Sequence, residues 1–273
     1  MGAMADPFQK ISNRIGVKRL ALVGAAVLIT LLWLYLTPQG LLGKADAIGY
    51  AVCHRIDTRS FYLGDRQIPL CARCSGMYLG VLAGFLYQLR LGKRSHFPPK
   101  PILVAFGLLG LAFALDGLNS YLTLFPGYTP IYPPNNALRL ATGTGLGLLI
   151  AVVLMPVVNQ TLWLAPVESP LIHRWVQLPG LVIAAGLPAA ALASENPILL
   201  YPLALLSSAA VVGVLGLCFA LLWVILLKKE NTFNTWREAW PMLLSGFITA
   251  MVQIGIIDIL RFSFTGSWGG FQF

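Results

Sequence analysis

Polar residues in this chain fall into short clusters that separate long apolar runs. The first run covers residues 20–36 and follows Lys10, Arg14, Lys18 and Arg19. The others cover residues 75–89, 102–122, 137–158, 176–194, 198–227 and 240–260. A helix needs about 20 apolar residues to cross the hydrocarbon core of a bilayer. The second run is short unless residues 71–74 begin its helix, and the rest reach or approach that length. The pattern predicts an all-α, polytopic transmembrane helical bundle of about seven helices. Ala45-Asp46-Ala47 looks like a signal-peptide cleavage site. The length of the first run, and Trp33 and Tyr35 placed like an interfacial belt, favour an uncleaved helix.

Composition narrows the class. The 273 residues are 57% hydrophobic and only 11% charged, against about 25% charged in soluble domains. That excludes a soluble enzyme, a disordered chain and a small disulfide-rich secreted domain. The net charge of +9 is read through its placement and not as a nucleic-acid footprint. Lys and Arg accumulate on the cytoplasmic side of membrane proteins. An N-inside, C-outside arrangement puts twelve of the 19 Lys and Arg residues inside and seven outside. Residues 1–19 then form a cytoplasmic N-terminal segment and residues 20–158 a membrane module with an outer segment at 38–74. Residues 159–273 add further transmembrane helices to the same domain. The expected location is the cell membrane, multi-pass, with membrane lipids as partners and no nucleic acid.

With that topology, several polar groups gather at the outer face. Asp116 and Asn119 lie three residues apart on one helix face. Asn135, Asn136 and Arg139 begin the next helix, and Asp258 and Arg261 close the last. Ionisable groups at membrane depth are costly and pair with one another or line a wet cavity. One reading makes Asp116–Arg139 and Asp258–Arg261 local ion pairs. The other is a polar pocket whose arginine fork suits an anionic group.

The sharpest chemistry lies between Cys53 and Gly76. Three of the four cysteines and one of the three histidines occur within 22 positions. Cys53, Cys71 and Cys74, with His54 as fourth ligand or neighbouring base, make a donor set suited to tetrahedral zinc. Cys71 and Cys74 also form a Cys-x-x-Cys pair, so a disulfide or thiol exchange is an alternative. A third possibility is that the cysteines are reduced and have neither role. Arg59 and Arg73 stand beside these thiols as candidates to hold a phosphate or carboxylate. Cys218, among apolar residues, reads as a small buried hydrophobe, and His96 and His173 as surface histidines.

The segments Cys53-His54, Arg59-Ser60-Phe61 and Pro69-Leu70-Cys71-Ala72-Arg73-Cys74-Ser75-Gly76 resemble a widespread family of uncharacterised bacterial and archaeal integral membrane proteins, a domain of unknown function. Asp116-Gly117 and the Asn136, Arg139, Gly143 element extend the resemblance, which spans residues 50–147. It implies that the thiol segment and the Asp116/Arg139 group form one module; it implies no activity.

The function expected from these residues is a metal site joined to an anion pocket at the outer face, acting as a metalloenzyme on an anionic or lipid-linked substrate. Zinc would be held by Cys53, His54, Cys71 and Cys74. Asp116 and His54 are the candidate acid–base groups. Arg59, Arg73, Asn119, Asn136 and Arg139 are the candidates to bind the anionic small molecule or lipid headgroup. The alternatives are a transporter or receptor for a metal or anion, and a membrane thiol–disulfide oxidoreductase.

Overall fold

The computed structural model describes residues 7–270, with side chains from residue 16 onward. The side chains of Lys10 and Arg14 therefore lie outside the described part. The described chain forms eight α-helices: α1 (Pro7–Leu36), α2 (Gly40–Val52), α3 (Ala72–Leu89), α4 (Lys100–Leu122), α5 (Asn136–Leu162), α6 (Leu178–Ala193), α7 (Pro197–Leu226) and α8 (Trp236–Thr265). It is an all-α helical bundle, and six of the helices, all but α2 and α3, are long and apolar enough to cross a membrane.

Seven of the helices match the seven predicted runs to within two residues or contain them. The eighth, α2, was not predicted. Its sequence carries Gly40, Gly43, Gly49, Lys44 and Asp46, which break the apolar pattern that marks the other helices. Asn135, Asn196 and Thr235 cap α5, α7 and α8 by accepting backbone N–H groups from Leu138, Ile198 and Glu238.

α3 and α5 form the most extensive helix pair in the bundle. Gly76, Gly80 and Gly84 recur at four-residue spacing on α3, opposite Gly143, Gly147 and Ala151 on α5. A Cβ placed on Gly80 would stand 2.7 Å from the Thr144 carbonyl oxygen, and one on Gly84 would stand 2.5 Å from the Ala151 Cβ. Small residues at such spacing let two helix backbones approach and gain van der Waals contact, the main attraction available where water is absent. α3 also packs against α6 and α7. Its 18 residues, about 27 Å at the α-helical rise, are thus enclosed by neighbours. Gln88 is buried and donates to the Gly84 and Ala151 carbonyls at 3.1 and 2.9 Å.

Two sets of connections gather around the bundle. In one, a short strand β3 (Arg94–His96) after α3 pairs in parallel with β4 (Val167–Pro170) after α5. Trp163 bridges Phe233 of the α7–α8 connection nearby. In the other, the α2–α3 connection folds a two-stranded hairpin, β1 (Tyr62–Leu63) and β2 (Arg66–Gln67), that turns at Gly64. That connection meets the α4–α5 loop and the segment after α8. His96 and His173 are exposed, as expected of surface histidines. Cys218 departs from expectation: it is exposed on the outside of α7 and not buried in the bundle, since apolar neighbours in sequence do not fix which helix face turns inward.

Candidate functional site

The α2–α3 connection carries the candidate chemistry, and three contacts hold it. The last turn of α2 lies so close to the Pro69 backbone that Gly49 has no room for a Cβ. Arg261 of α8 reaches over to donate from Nη1 to the Tyr50 and Cys53 carbonyls at 2.5 and 2.7 Å, with its guanidinium 4.0 Å from the Tyr50 ring centroid. A cation on the carbonyl end of a helix is favourable twice, satisfying acceptors and opposing the helix dipole. Finally, Asp46 of α2 pairs with Arg55 at 2.9 Å and Arg66 at 2.6 Å. Buried Arg55, held at a left-handed φ of 52°, donates to the Trp268 carbonyl at 3.1 Å.

These contacts place Cys53 beside the start of α3. The Sγ atoms of Cys53, Cys71 and Cys74 lie within 4.8 Å of one another, and all three cysteines are free thiols. Cys71 is the residue just before α3, and its backbone N–H donates to Cys53 Sγ at 3.3 Å. Cys53 and Cys71 are buried, packed with Leu70, Val211, Tyr78 and Leu215. Hydrogen bonds from the Cys71 and Cys74 thiols hold the Cys53 thiol well below its ordinary value. The converse bond to Cys53, with burial, pushes Cys71 up to about 12. The trio therefore favours one thiolate, on Cys53.

Tetrahedral zinc with Zn–S bonds near 2.3 Å spaces its sulfurs by about 3.8 Å, a separation compatible with three sulfurs all within 4.8 Å of one another. His54 is not in this group. Its Nδ1 accepts the Ile56 backbone N–H at 2.9 Å, which puts the neutral ring's proton on Nε2 and makes that atom a donor, not a ligand. Burial, together with nearby Arg59, Arg73 and Arg139, lowers its pKa and keeps the ring neutral.

The second half of the site is built from α3, α4 and α5. Arg73, in the first turn of α3, forms an ion pair with Asp116 of α4 and also donates to the Asp116 carbonyl at 3.2 Å. Asp116 further accepts from the Tyr132 hydroxyl at 3.0 Å and from Thr142 at 3.2 Å. The expected Asp116–Arg139 pair is therefore replaced by Asp116–Arg73. The sequence could not reveal this, because it depends on how α3 and α5 are each placed in space relative to Asp116 of α4. Arg139 donates instead to Asn136 Oδ1 at 2.8 Å and Ser120 Oγ at 3.3 Å. Arg59 donates to the Ser120 carbonyl at 2.7 Å and Thr123 Oγ1 at 3.3 Å.

Arg59, Arg73 and Arg139 stand within electrostatic reach of one another, and Cys71 is within reach of Arg59 and Arg139. Arg59 and Arg139 are 7% and 6% exposed, and one carboxylate, Asp116, pairs with Arg73 and lies within electrostatic reach of Arg139. Arg73 Nε is buried with no partner. Burying several cations beside one acid is costly, and a further anion would offset part of that cost. Two expected anion-binding residues have structural work: Asn119 donates to the Tyr132 carbonyl at 3.0 Å and accepts from Ile131 N–H at 2.9 Å, and Asn136 donates to the Ser60 carbonyl at 3.1 Å. Sequence reasoning missed Tyr132, Thr142 and Ser120, uncharged residues that nothing in the pattern marks. It also missed Arg261 as a clamp. The expected Asp258–Arg261 pair is not formed, because Arg261 turns to the α2 carbonyls and Asp258 makes no hydrogen bond.

Comparison with known proteins adds the lineage. Residues 53–153 match the model of a family described as Predicted membrane protein (DUF2085). An uncharacterized protein of Methanothermobacter thermautotrophicus is 32% identical over 102 residues, 37% of this chain and 83% of that protein. An uncharacterized protein of Methanocaldococcus jannaschii is 27% identical over 119 residues, 43% of this chain and 70% of its own length. No solved structure matches. The matched residues run from Cys53 to just past Ala151, taking in the three thiols, Asp116, Arg139 and the interleaved α3–α5 pair, while α6 to α8 lie beyond them. On that match and the archaeal likeness, the chain belongs to the family Predicted membrane protein (DUF2085).

Proposed function

We propose that this protein is an integral membrane metalloprotein in which Cys53, Cys71 and Cys74 hold a zinc ion and Arg59, Arg73 and Arg139 hold the anionic group of a substrate beside it. One observation carries the reading: three sulfurs converge, and one of them, on Cys71, sits within electrostatic reach of the buried guanidiniums of Arg59 and Arg139. Three protein ligands leave a tetrahedral ion one open position, the arrangement of catalytic zinc. Bound there, zinc supplies Lewis acidity toward an oxygen of the anion.

The protein's own groups supply the rest. Asp116, with oxygens engaged by Arg73, Tyr132 and Thr142, positions Arg73. His54 presents a neutral Nε2–H as a hydrogen-bond donor. In this reading the site faces the outer leaflet, and its guanidiniums suit a phosphate or carboxylate, free or on a lipid headgroup.

The test is elemental analysis of protein purified without added metal, followed by binding of inorganic phosphate and of phosphatidic acid in nanodiscs. One equivalent of zinc, lost in Cys71→Ser, and phosphate affinity lost in Arg139→Gln are expected. Full metal content in each of Cys53→Ser, Cys71→Ser and Cys74→Ser overturns the assignment.

A further inference from the structure

A second polar feature lies away from the thiols. A cavity of about 520 Å³ opens between α1 and α8, walled by Ile29, Leu32 and Leu36 on one side and Val252, Ile256 and Ile259 on the other. Asp258, 4% exposed, lines it, and neither carboxylate oxygen has a hydrogen-bond partner. Trp33 lines it too, and its buried indole N–H is also without a partner. Trp33 feels the Asp258 carboxylate without a hydrogen bond of ordinary geometry between them. Beside Thr37 of the cavity wall, the Lys44 ammonium donates to the Leu34 carbonyl, to the Thr37 carbonyl at 2.9 Å and to the Thr37 hydroxyl at 3.0 Å, so its three donors are used within the protein. Arg261, one turn beyond Asp258, contributes charge but directs Nη1 to the Tyr50 and Cys53 carbonyls.

A carboxylate facing an aliphatic cavity is costly unless a cation or donor completes it. The occupant must satisfy two things: an apolar body for the walls and a hydrogen-bonding cation for Asp258. Nearly all of the α1 span faces away from the bundle, so the medium at the cavity mouth is lipid. We propose that this cavity binds an aminophospholipid, with its primary ammonium on Asp258 and an acyl chain along α1 and α8. A quaternary ammonium cannot donate to Asp258, and a headgroup without an amine leaves the carboxylate unpaired.

Native mass spectrometry of delipidated protein offered equal amounts of phosphatidylethanolamine, phosphatidylcholine and phosphatidylglycerol with identical chains tests this. One phosphatidylethanolamine is expected to be retained, preferred about tenfold over phosphatidylcholine, the difference a charge-assisted hydrogen bond makes. Asp258→Asn should abolish that preference. Gly255→Leu fills the cavity at a position with open space around it, and should exclude the lipid without changing the melting temperature. It decides the matter if Asp258→Asn unfolds. Equal retention of all three lipids, preference for phosphatidylglycerol, or a preference that survives Gly255→Leu overturns the proposal. None of these readouts involves the thiols or their metal.

Discussion

Arg73 and Asp116 join the first turn of α3 to α4 through an ion pair whose carboxylate is 2% exposed. Because Tyr132 and Thr142 donate to the same carboxylate, the pair fixes one guanidinium and gathers α5 and the α4–α5 loop around it. Asp116→Asn leaves that guanidinium without its acid partner, and removing one member of a buried pair costs about 3–5 kcal/mol. Thermal unfolding in detergent should show the loss. The double change Arg73→Met with Asp116→Leu should recover much of it, and a double variant as damaged as Asp116→Asn would show that more than the pair is at stake.

The α3–α5 contact can be tested with a single methyl group. Gly80→Ala drives a Cβ to within 2.7 Å of the Thr144 carbonyl oxygen, and overpacking of this kind costs about 1–3 kcal/mol. Gly107→Ala on α4, where nothing lies within 4 Å, should leave the melting temperature unchanged or raise it slightly. Equal effects from the two would mean that the helices do not pack as described.

Metal uptake should depend on pH. Cys71, hydrogen-bonded to the Cys53 sulfur and buried, is held up to about 12, so it carries a proton at neutral pH that a metal must displace. Zinc affinity should rise between about pH 6 and pH 8, with proton release visible as calorimetric heats that vary with the buffer. In the metal-free protein, the raised thiol contributes stability below the ordinary thiol range that is lost as pH climbs toward about 12. An affinity indifferent to pH would exclude thiolate ligation.

Arg261 should matter to the metal without touching it. Its bond to the Cys53 carbonyl orients the residue that leads the sulfur trio, and loss of such supporting contacts lowers metal affinity about 10–100-fold. Competition with a chelator should show Arg261→Gln weakened on that scale while all three cysteines remain. An unchanged affinity would mean that the loop keeps its shape without the clamp.

Sidedness turns on α3. Six helices return a chain to its starting side, whereas α3 as a seventh crossing puts the termini on opposite faces. Enclosure by α5, α6 and α7 shields its polar residues, so tags at the two ends should be accessible from opposite sides, the N-terminal one from the cytoplasm. Access from one side only would make α3 a buried helix that does not span.

The helices were legible because each apolar run is long and bounded by charge. α2 was not, because its glycines and Lys44 conceal a short helix held by Pro69 and Arg261. The sulfur trio could be read from spacing, since Cys-x-x-Cys at a helix start leaves little freedom and Cys53 is the neighbouring thiol in sequence. Pairing among the acids and arginines could not. Asp116 takes Arg73 in place of Arg139, and Asp258 takes no arginine, because one-dimensional spacing gives neighbours on a helix but not the distance between helices. Asn119 and Asn136 were recognised as important, yet their amides hold loops in place.

The interleaved glycines of α3 and α5 behave as a ruler. With Gly80 against Thr144 and Gly84 against Ala151, the sulfurs at the head of α3 and Arg139 on α5 keep a fixed separation that no loop change can stretch. If the proposed anion binds there, a bulkier one has to be accommodated in the strap between α4 and α5, where Tyr132 leans on Asp116. Variation of residues 123–135 is the route by which such a scaffold would acquire a different appetite while its sulfur and guanidinium groups stay in place.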